Sequence, residues 1–473
     1  MKLLIASHNQ GKVSEFKRLL SQFGFEFVTL NELKEVAEPI EDGLTLWENA
    51  LIKAKYYFEQ FQMPVVCDDT GLFIDALNGE PGINAARFSG LGEARNRAKV
   101  LKLLDGSKNR HAYFETALIF YDGHRLIASS GRVDGAITEE EKGQNGFGYD
   151  AIFMPNGYHV TMAELSSELK NQCSHRYYAL KHLVFKLRFY LGLDHHFTYL
   201  EALTKNRYPD KCLLSITAFP GGMSNNTYLM EFADGKKVAR FPGECAEIFV
   251  DRQIEYNCLK AVQGLKQFVQ FEYFDNDLGV KISPYINNSK QPDLNDIVKT
   301  LESFHQLPML TNNYEPFKRL FYYERLCLKM GIKLEQKYYQ AKETLLKYQK
   351  MLETRALKSC HNDAQLSNWL FDDERAVLID LEFTGNNDPY YDYACFGNDD
   401  LNLGKTLLSM SLGRKLSASD ETVIELWYAL QATSWYLVAL FKETTGLNET
   451  LKLDFNAIAL FFLNKASTLL ANK

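Results

Sequence analysis

Apolar positions in the first part of the chain switch repeatedly between two periods. The short run Leu3-Leu4-Ile5-Ala6 reads as a buried strand. Val13, Phe16, Leu19 and Leu20 then recur at helical spacing, and Gly24 supplies a stop. TLWENALIKAKYYFEQF predicts a second helix, and MPVVCDD a short strand ending in Asp68 and Asp69. YFETALIFYDG and HRLIASSGRVDGAI predict paired strands turning at Asp122-Gly123, and HRYYALKHLVFKLRFYLG a helix closed by Gly192. This alternation is that of an α/β domain.

After a mixed, polar stretch the pattern changes. LLSITAFPGGMSNNTYLMEFADGKKVARF reads strand, glycine turn, strand, Asp-Gly hairpin, strand, which predicts an antiparallel sheet. From Leu294 onward the spacing is mostly helical, apart from a strand-like AVLIDLEF. The two parts differ in architecture, so the chain reads as a fusion: domains at 1–192 and 206–473, joined by a linker at 193–205.

Composition narrows the classes. A chain of 473 residues with 46% hydrophobic and 24% charged residues is expected to be globular with more than one core. A formal net charge of −7 argues against general nucleic-acid or anionic-membrane binding, so a polyanionic ligand needs a local basic pocket. Eight scattered cysteines without a CxxC pair, and no signal peptide or membrane-length apolar run, predict a reducing, cytoplasmic setting.

Two constellations carry chemistry. In the first, the opening strand breaks into Ser7-His8-Asn9-Gln10-Gly11-Lys12, whose side chains and following helix N-terminus suit an anion. It lacks P-loop spacing and, alone, reads more readily as an ordinary strand-to-helix turn. Glu48 and Lys53 share one helix, and Asp68 and Asp69 supply carboxylates for a hard cation such as Mg2+. The ordered set Ser7-x-Asn9-x-x-Lys12, Glu48-Asn49-Ala50, Asp68-Asp69-Thr70-Gly71-Leu72, Pro81-Gly82, Ala86-Arg87-Phe88, Gly146-Phe147-Gly148-Tyr149-Asp150 and Ser174-His175-Arg176 resembles the inosine triphosphate pyrophosphatase family.

That resemblance covers about residues 1–192. It implies Mg2+-dependent hydrolysis of dITP, ITP or XTP to the monophosphate and pyrophosphate. It further implies a triphosphate clamp of Ser7, Asn9, Lys12 and Lys53, metal ligands Glu48 and Asp69, and Asp69 as activator of the attacking water. Phe147 is implied to stack on the base, and Gly148, Tyr149 and Asp150, which complete its motif, are implied to line the substrate site with it. Lys170, His175 and Arg176 are implied to read the 6-oxo group. A homodimer through this domain is expected from the same family. Thr70 keeps the hydroxyl of the family's usual serine, and Ala85 and Ala151 are mild departures.

The second constellation is SCHNDAQLSNWLF followed by AVLIDLEF. Asp363, Asn368 and Asp380 have the kinase arrangement, in which Asp363 accepts the acceptor hydroxyl's proton and Asn368 and Asp380 hold Mg2+ on ATP. Together with GGMSN, VARFPG, Arg252-x-x-Glu255 and IDLEFTGNNDPYYDYA, it resembles the choline and ethanolamine kinase branch of the aminoglycoside phosphotransferase superfamily, with a protein-kinase-like two-lobed α+β fold. The resemblance implies nucleotide contacts from Ser224, Asn225, Asn226, Arg240 and Glu255. A quaternary ammonium needs an aromatic cage, for which Tyr390, Trp427 and Trp435 are the candidates beside Tyr391 and Tyr436. The family's second cage tryptophan is replaced by Val438, which leaves ethanolamine open beside choline. An aminoglycoside or other small-alcohol phosphotransferase, or a non-catalytic nucleotide-binding scaffold, are the rival readings.

Overall fold

The computed structural model describes the chain apart from residues 220–224, 292, 373–374 and 472, and apart from the side chains of 167, 171 and 450. It forms two compact units, Met1–Tyr199 and Leu200–Lys473. A helix, His196–Arg207, occupies the boundary, where the sequence reads as mixed and polar. Its Leu200 and Thr204 are buried one turn apart, which gives it one packed side despite that composition.

In the first unit a mixed sheet runs β2 (Glu26–Thr29), β1 (Lys2–Ile5), β3 (Val65–Ile74), β5 (His111–Tyr121), β6 (Leu126–Ile137), β7 (Phe153–Pro155), with the short β4 (Pro81–Gly82) paired to β3. β1 is parallel to β2 and β3; the remaining pairs are antiparallel. Helices α1 (Gln10–Leu20) and α5 (His175–Tyr190) pack one face through Leu3, Ile5, Val13, Phe16, Val66, Leu118, Leu180 and Leu183. Helix α2 (Leu46–Phe61) packs against β3 and β5. β3 does not stop at Asp68-Asp69, as its apolar run predicts. It continues ten residues to Ile74, because every residue from Val65 to Ile74 pairs with β5. Both aspartates therefore sit in mid-strand.

In the second unit a five-stranded antiparallel sheet has the order β11 (Tyr273–Phe274), β12 (Lys281–Pro284), β10 (Gly235–Pro242), β9 (Asn225–Phe232), β8 (Leu213–Ala218). The helix Arg252–Ala261 follows β10. The rest is helical, including Leu294–His305, Pro316–Lys329 and the 27-residue helix Ala418–Thr444. Two small strand pairs interrupt it: β13 (Lys358–Cys360) with β16 (Gly385–Asn387), and β14 (Trp369–Phe371) with β15 (Ala376–Leu378).

Candidate active sites

Neighbouring residues of a strand point to opposite faces, and in β3 this separates the two aspartates by role. Asp68 shares its parity with Val66 and meets α1 and α5. Its Oδ2 accepts from Lys12 Nζ at 2.8 Å, Arg176 Nε at 3.3 Å and Thr70 Oγ1 at 3.1 Å. Burial alone would raise this carboxyl, but Lys12 and Arg176 outweigh it and hold the group far below the usual carboxylate range. Asp69 shares its parity with Cys67 and meets α2. Asn49 Nδ2 donates to its Oδ2 at 3.1 Å and Lys53 Nζ to its Oδ1 at 2.8 Å. Burial nonetheless leaves Asp69 above the ordinary value, the direction that suits a proton acceptor.

The opening turn is fixed from within. Asn9 caps α1, its Oδ1 accepting from Lys12 N at 3.1 Å, while Ser7 Oγ accepts from Asn9 N at 3.2 Å. Glu48 is fully buried at the start of α2, and its Oε2 accepts from Leu44 N at 2.7 Å. Glu48 and Asp69 thus offer hard oxygen donors that fit Mg2+.

The distant motif GFGYD reaches the same place. Phe147 lies so close to the opening turn that a Cβ on Gly11 would stand 3.4 Å from its ring. Lys170 Nζ sits 4.7 Å above that ring and pairs with Asp150 Oδ2 at 2.5 Å; the same oxygen accepts from Phe147 N at 2.8 Å. Arg176 lies 5.6 Å from the ring centroid and also pairs with Glu15 at 2.9 Å. A groove lined by Asn9, Gly11, Asn145, Gly146, Phe147 and Lys170 results. His175 is buried against Phe114 with ring centroids 4.7 Å apart, and its Nδ1 has no partner among the described residues. Burial, then Arg176, push its pKa well below the usual value, so the ring is neutral.

Gly148, Tyr149 and Asp150 of the motif are not in the groove's lining. Tyr149 belongs to the core, its hydroxyl donating to Ala85 O at 2.7 Å, and Gly148 binds its neighbours through Glu93 and Arg97. Both position Phe147 instead of lining its pocket. Asp68 is the member that motif reading undervalued, since only the fold brings Lys12 and Arg176 to it.

In the second unit the turn that carries Asp363 follows β13, which pairs with β16. Asn362 and Asp380 adopt left-handed backbone conformations, with φ of +64° and +66°, which non-glycine residues hold only where surrounding contacts impose them. For Asn362 those contacts are three donations from Nδ2, to Cys360 O, Phe383 O and Gly385 O at 3.0–3.1 Å. The buried Asp392 accepts from His361 N at 3.0 Å, Asn362 N at 2.7 Å and His305 Nε2 at 2.9 Å. Asn368 Nδ2 donates to Asp363 Oδ2 at 2.8 Å, so its Oδ1 is the atom left to face a cation. Burial, reinforced by Asp380, drives Asp363 well above the carboxylate range.

Arg240 on β10 joins three carboxylates: Asp380 at 2.5 Å, Glu255 at 2.6 Å and Glu382 at 2.8 Å. Arg252 and Lys281 add to Glu255 at 2.7 and 3.2 Å, and Asn225 Nδ2 donates to Glu382 at 2.9 Å. Burial opposes ionisation of Glu255, but Lys281, Arg240 and Arg252 bring its pKa down to about 2. Asn226 lies in β9 opposite Phe241. Ser224 and the Gly-Gly turn lie outside the described residues.

Beside Asp363 opens a cavity walled by Phe249, Tyr314, Tyr323, Phe383, Tyr391 and Trp435, with Glu244, Gln431, Val438 and Lys442 also facing it. Of the three cage candidates, Trp435 alone is in this wall. Trp427 is buried with its indole N–H on Asp388 Oδ2 at 2.6 Å, and Tyr390 donates to Asp420 at 2.8 Å under Arg355. A helix exposes one residue in three or four to a given neighbour, so Trp435 and Trp427, eight apart, diverge here because Asp388 captures the latter. Tyr314 and Tyr323 escape notice in the sequence because they arrive from the helix Pro316–Lys329 and the loop before it.

One chain thus holds two candidate sites of unrelated construction, one on an α/β sheet and one between an antiparallel sheet and a helical lobe. Residues 3–186 match the Ham1 family, and residues 215–412 match the Phosphotransferase enzyme family. The dITP/XTP pyrophosphatase of Aquifex aeolicus is 43% identical over 199 residues, 40% of this chain and 97% of that protein. That of Halalkalibacterium halodurans is 43% identical over 185 residues, covering 38% and 95%. The second unit has the fold of the choline kinase LicA from Streptococcus pneumoniae: 24% identity over 59% of this chain and 100% of that one, TM-score 0.50. The chain belongs, through its first unit, to the Ham1 family of dITP/XTP pyrophosphatases, and its second unit matches the Phosphotransferase enzyme family and has a choline kinase fold. Among the described residues no helix is long and apolar enough to cross a membrane.

Proposed function

We propose that the chain is a bifunctional enzyme. Its first unit hydrolyses dITP, ITP or XTP to the monophosphate and pyrophosphate, and its second transfers the γ-phosphoryl of ATP to choline or ethanolamine. The observation that carries the first half is the meeting of Asp69, Lys53 and Asn49 on one face of β3 while Phe147 and Lys170 close on the opening turn. Ser7, Asn9, Lys12 and Lys53 bind the triphosphate, Phe147 stacks on the base, and Lys170, His175 and Arg176 supply donors to a 6-oxo group. Such donors disfavour adenine, whose 6-amino group would leave them unpaired. Asp69 takes the proton of the water that attacks the α-phosphorus. Mg2+ held by Glu48 and Asp69 would supply charge neutralisation for the leaving pyrophosphate.

In the second unit Asp363 receives the acceptor's hydroxyl proton, Arg240 and Glu255 order the nucleotide side, and Asn368 and Asp380 fit a second Mg2+ site with oxygen donors. The aromatic wall of the cavity and Glu244 favour a cationic head group, and the intact set Asp363, Asn368, Asp380 speaks against a scaffold. We keep 1–192 and 206–473 as the two catalytic domains, in a cytoplasmic homodimer formed by the first. The test is the purified chain with Mg2+ against two panels: pyrophosphate release from dITP, ITP, XTP and ATP, and ADP formation from ATP with choline, ethanolamine and an aminoglycoside. Absence of pyrophosphate release from all three 6-oxo nucleotides, or ADP formation with the aminoglycoside alone, overturns the corresponding half. Light scattering of the same sample reads the dimer.

A further inference from the structure

We infer that Lys442 is a catalytic residue of the phosphotransferase unit, its ammonium contacting the phosphoryl group in flight between ATP and the acceptor oxygen. The inference rests on the kinase reading of that unit but not on choline as the acceptor. Gln431, Trp435, Val438 and Lys442 recur at spacings of four, three and four along the helix Ala418–Thr444, so one stripe of that helix faces the cavity beside Asp363. Lys442 ends the stripe and is 96% buried.

The cavity locates Lys442, which shares its lining with Asp363 and Cys245. A buried lysine that lines one cavity with the proton acceptor stands where the phosphoryl group must pass. In the transfer, an acceptor oxygen lone pair forms the new bond to the γ-phosphorus and the bond from that phosphorus to the β–γ bridging oxygen breaks. Its electron pair stays on ADP, and the acceptor's proton goes to Asp363. Charge that spreads over the equatorial phosphoryl oxygens during this exchange meets the Lys442 ammonium, and no proton need leave the lysine. The catalytic turn itself offers no such cation, since Ala364, Gln365, Leu366 and Ser367 between Asp363 and Asn368 are uncharged.

The experiment uses the full chain with Mg-ATP and follows ADP, which separates this reaction from AMP made by the first unit. Acceptors are water alone and choline. Lys442→Met is expected to lower kcat at least tenfold with either acceptor, to leave the KM for ATP within twofold, and to be substantially rescued as Lys442→Arg. A folded Lys442→Met chain with kcat within twofold of the parent overturns the inference. So does a loss confined to the KM for choline, which would make the lysine an acceptor contact. Should Lys442→Met not fold, Lys442→Gln takes its place under the same criteria. If choline fails to accelerate ADP formation in the parent chain, the choline reading falls while the water reaction still decides the role of Lys442.

Discussion

Asn368 donates its side-chain amide to Asp363 Oδ2 at 2.8 Å and also to the Asp363 main-chain oxygen at 2.8 Å. The proposed proton acceptor is thereby held by a residue whose remaining oxygen is proposed for the cation site, so both proposed roles sit on one turn. Asp363→Asn should lower ADP formation by about 10²–10⁴-fold and leave pyrophosphate release from ITP unchanged. Parallel assays of the two products check this.

Asp69→Asn is the converse. Lys53 keeps its bond to Asp68 O, while the amide retains only one acceptor for the two donors Lys53 and Asn49, and the proton acceptor and an anionic metal ligand are lost. Pyrophosphate release from ITP should drop by at least about 10²-fold, with ADP formation in the second unit preserved.

Gly146 has φ of +83°, and a Cβ there would stand 2.2 Å from Asp150 Oδ2 and 2.7 Å from Lys170 Nζ. Gly146→Ala should therefore break the Lys170–Asp150 pair and displace Phe147. The expected result is a rise of roughly tenfold in KM for ITP, about 1.4 kcal/mol of binding, and a smaller preference over ATP. Steady-state kinetics on both nucleotides would show it.

His175 links stability to pH. Its folded pKa lies well below the usual value, because burial and then Arg176 disfavour the charged ring. Below about pH 6.5 the unfolded chain binds a proton that the folded chain refuses, so this group destabilises the first unit as pH falls and has no effect above that range. The limiting slope is about 1.4 kcal/mol per pH unit. Thermal melts between pH 5 and 7.5 should show a shallower acid-side decline in His175→Phe than in the parent.

Much of this architecture is legible in the residues because local chemistry marks it. Asn9 caps α1, Gly24 at φ of +65° closes the 3-10 turn Ser21–Phe23 that follows it, and the Asp-Gly hairpin joins β9 to β10. The extent of β3 is not legible, since Asp68-Asp69-Thr70-Gly71 has turn composition. Pairing with β5 and ion pairs from α1, α2 and α5 override that preference. In the acceptor cavity, Trp435 carries a visible signal but Tyr314, Tyr323 and Lys442 do not. Their convergence depends on helix packing, which no short motif encodes.

Asp392 ends up beneath the catalytic turn, gripping the main-chain N–H groups of His361 and Asn362 and facing His305. It is completely inaccessible and is not in the lining of the cavity beside Asp363. Its removal would orphan three buried donors and release the strained Asn362. In a screen that scores variants only by survival of the reaction, Asp392 would rank beside Asp363. Only a measurement of how much folded protein each variant yields would tell the keystone of the turn from the residue that handles the proton.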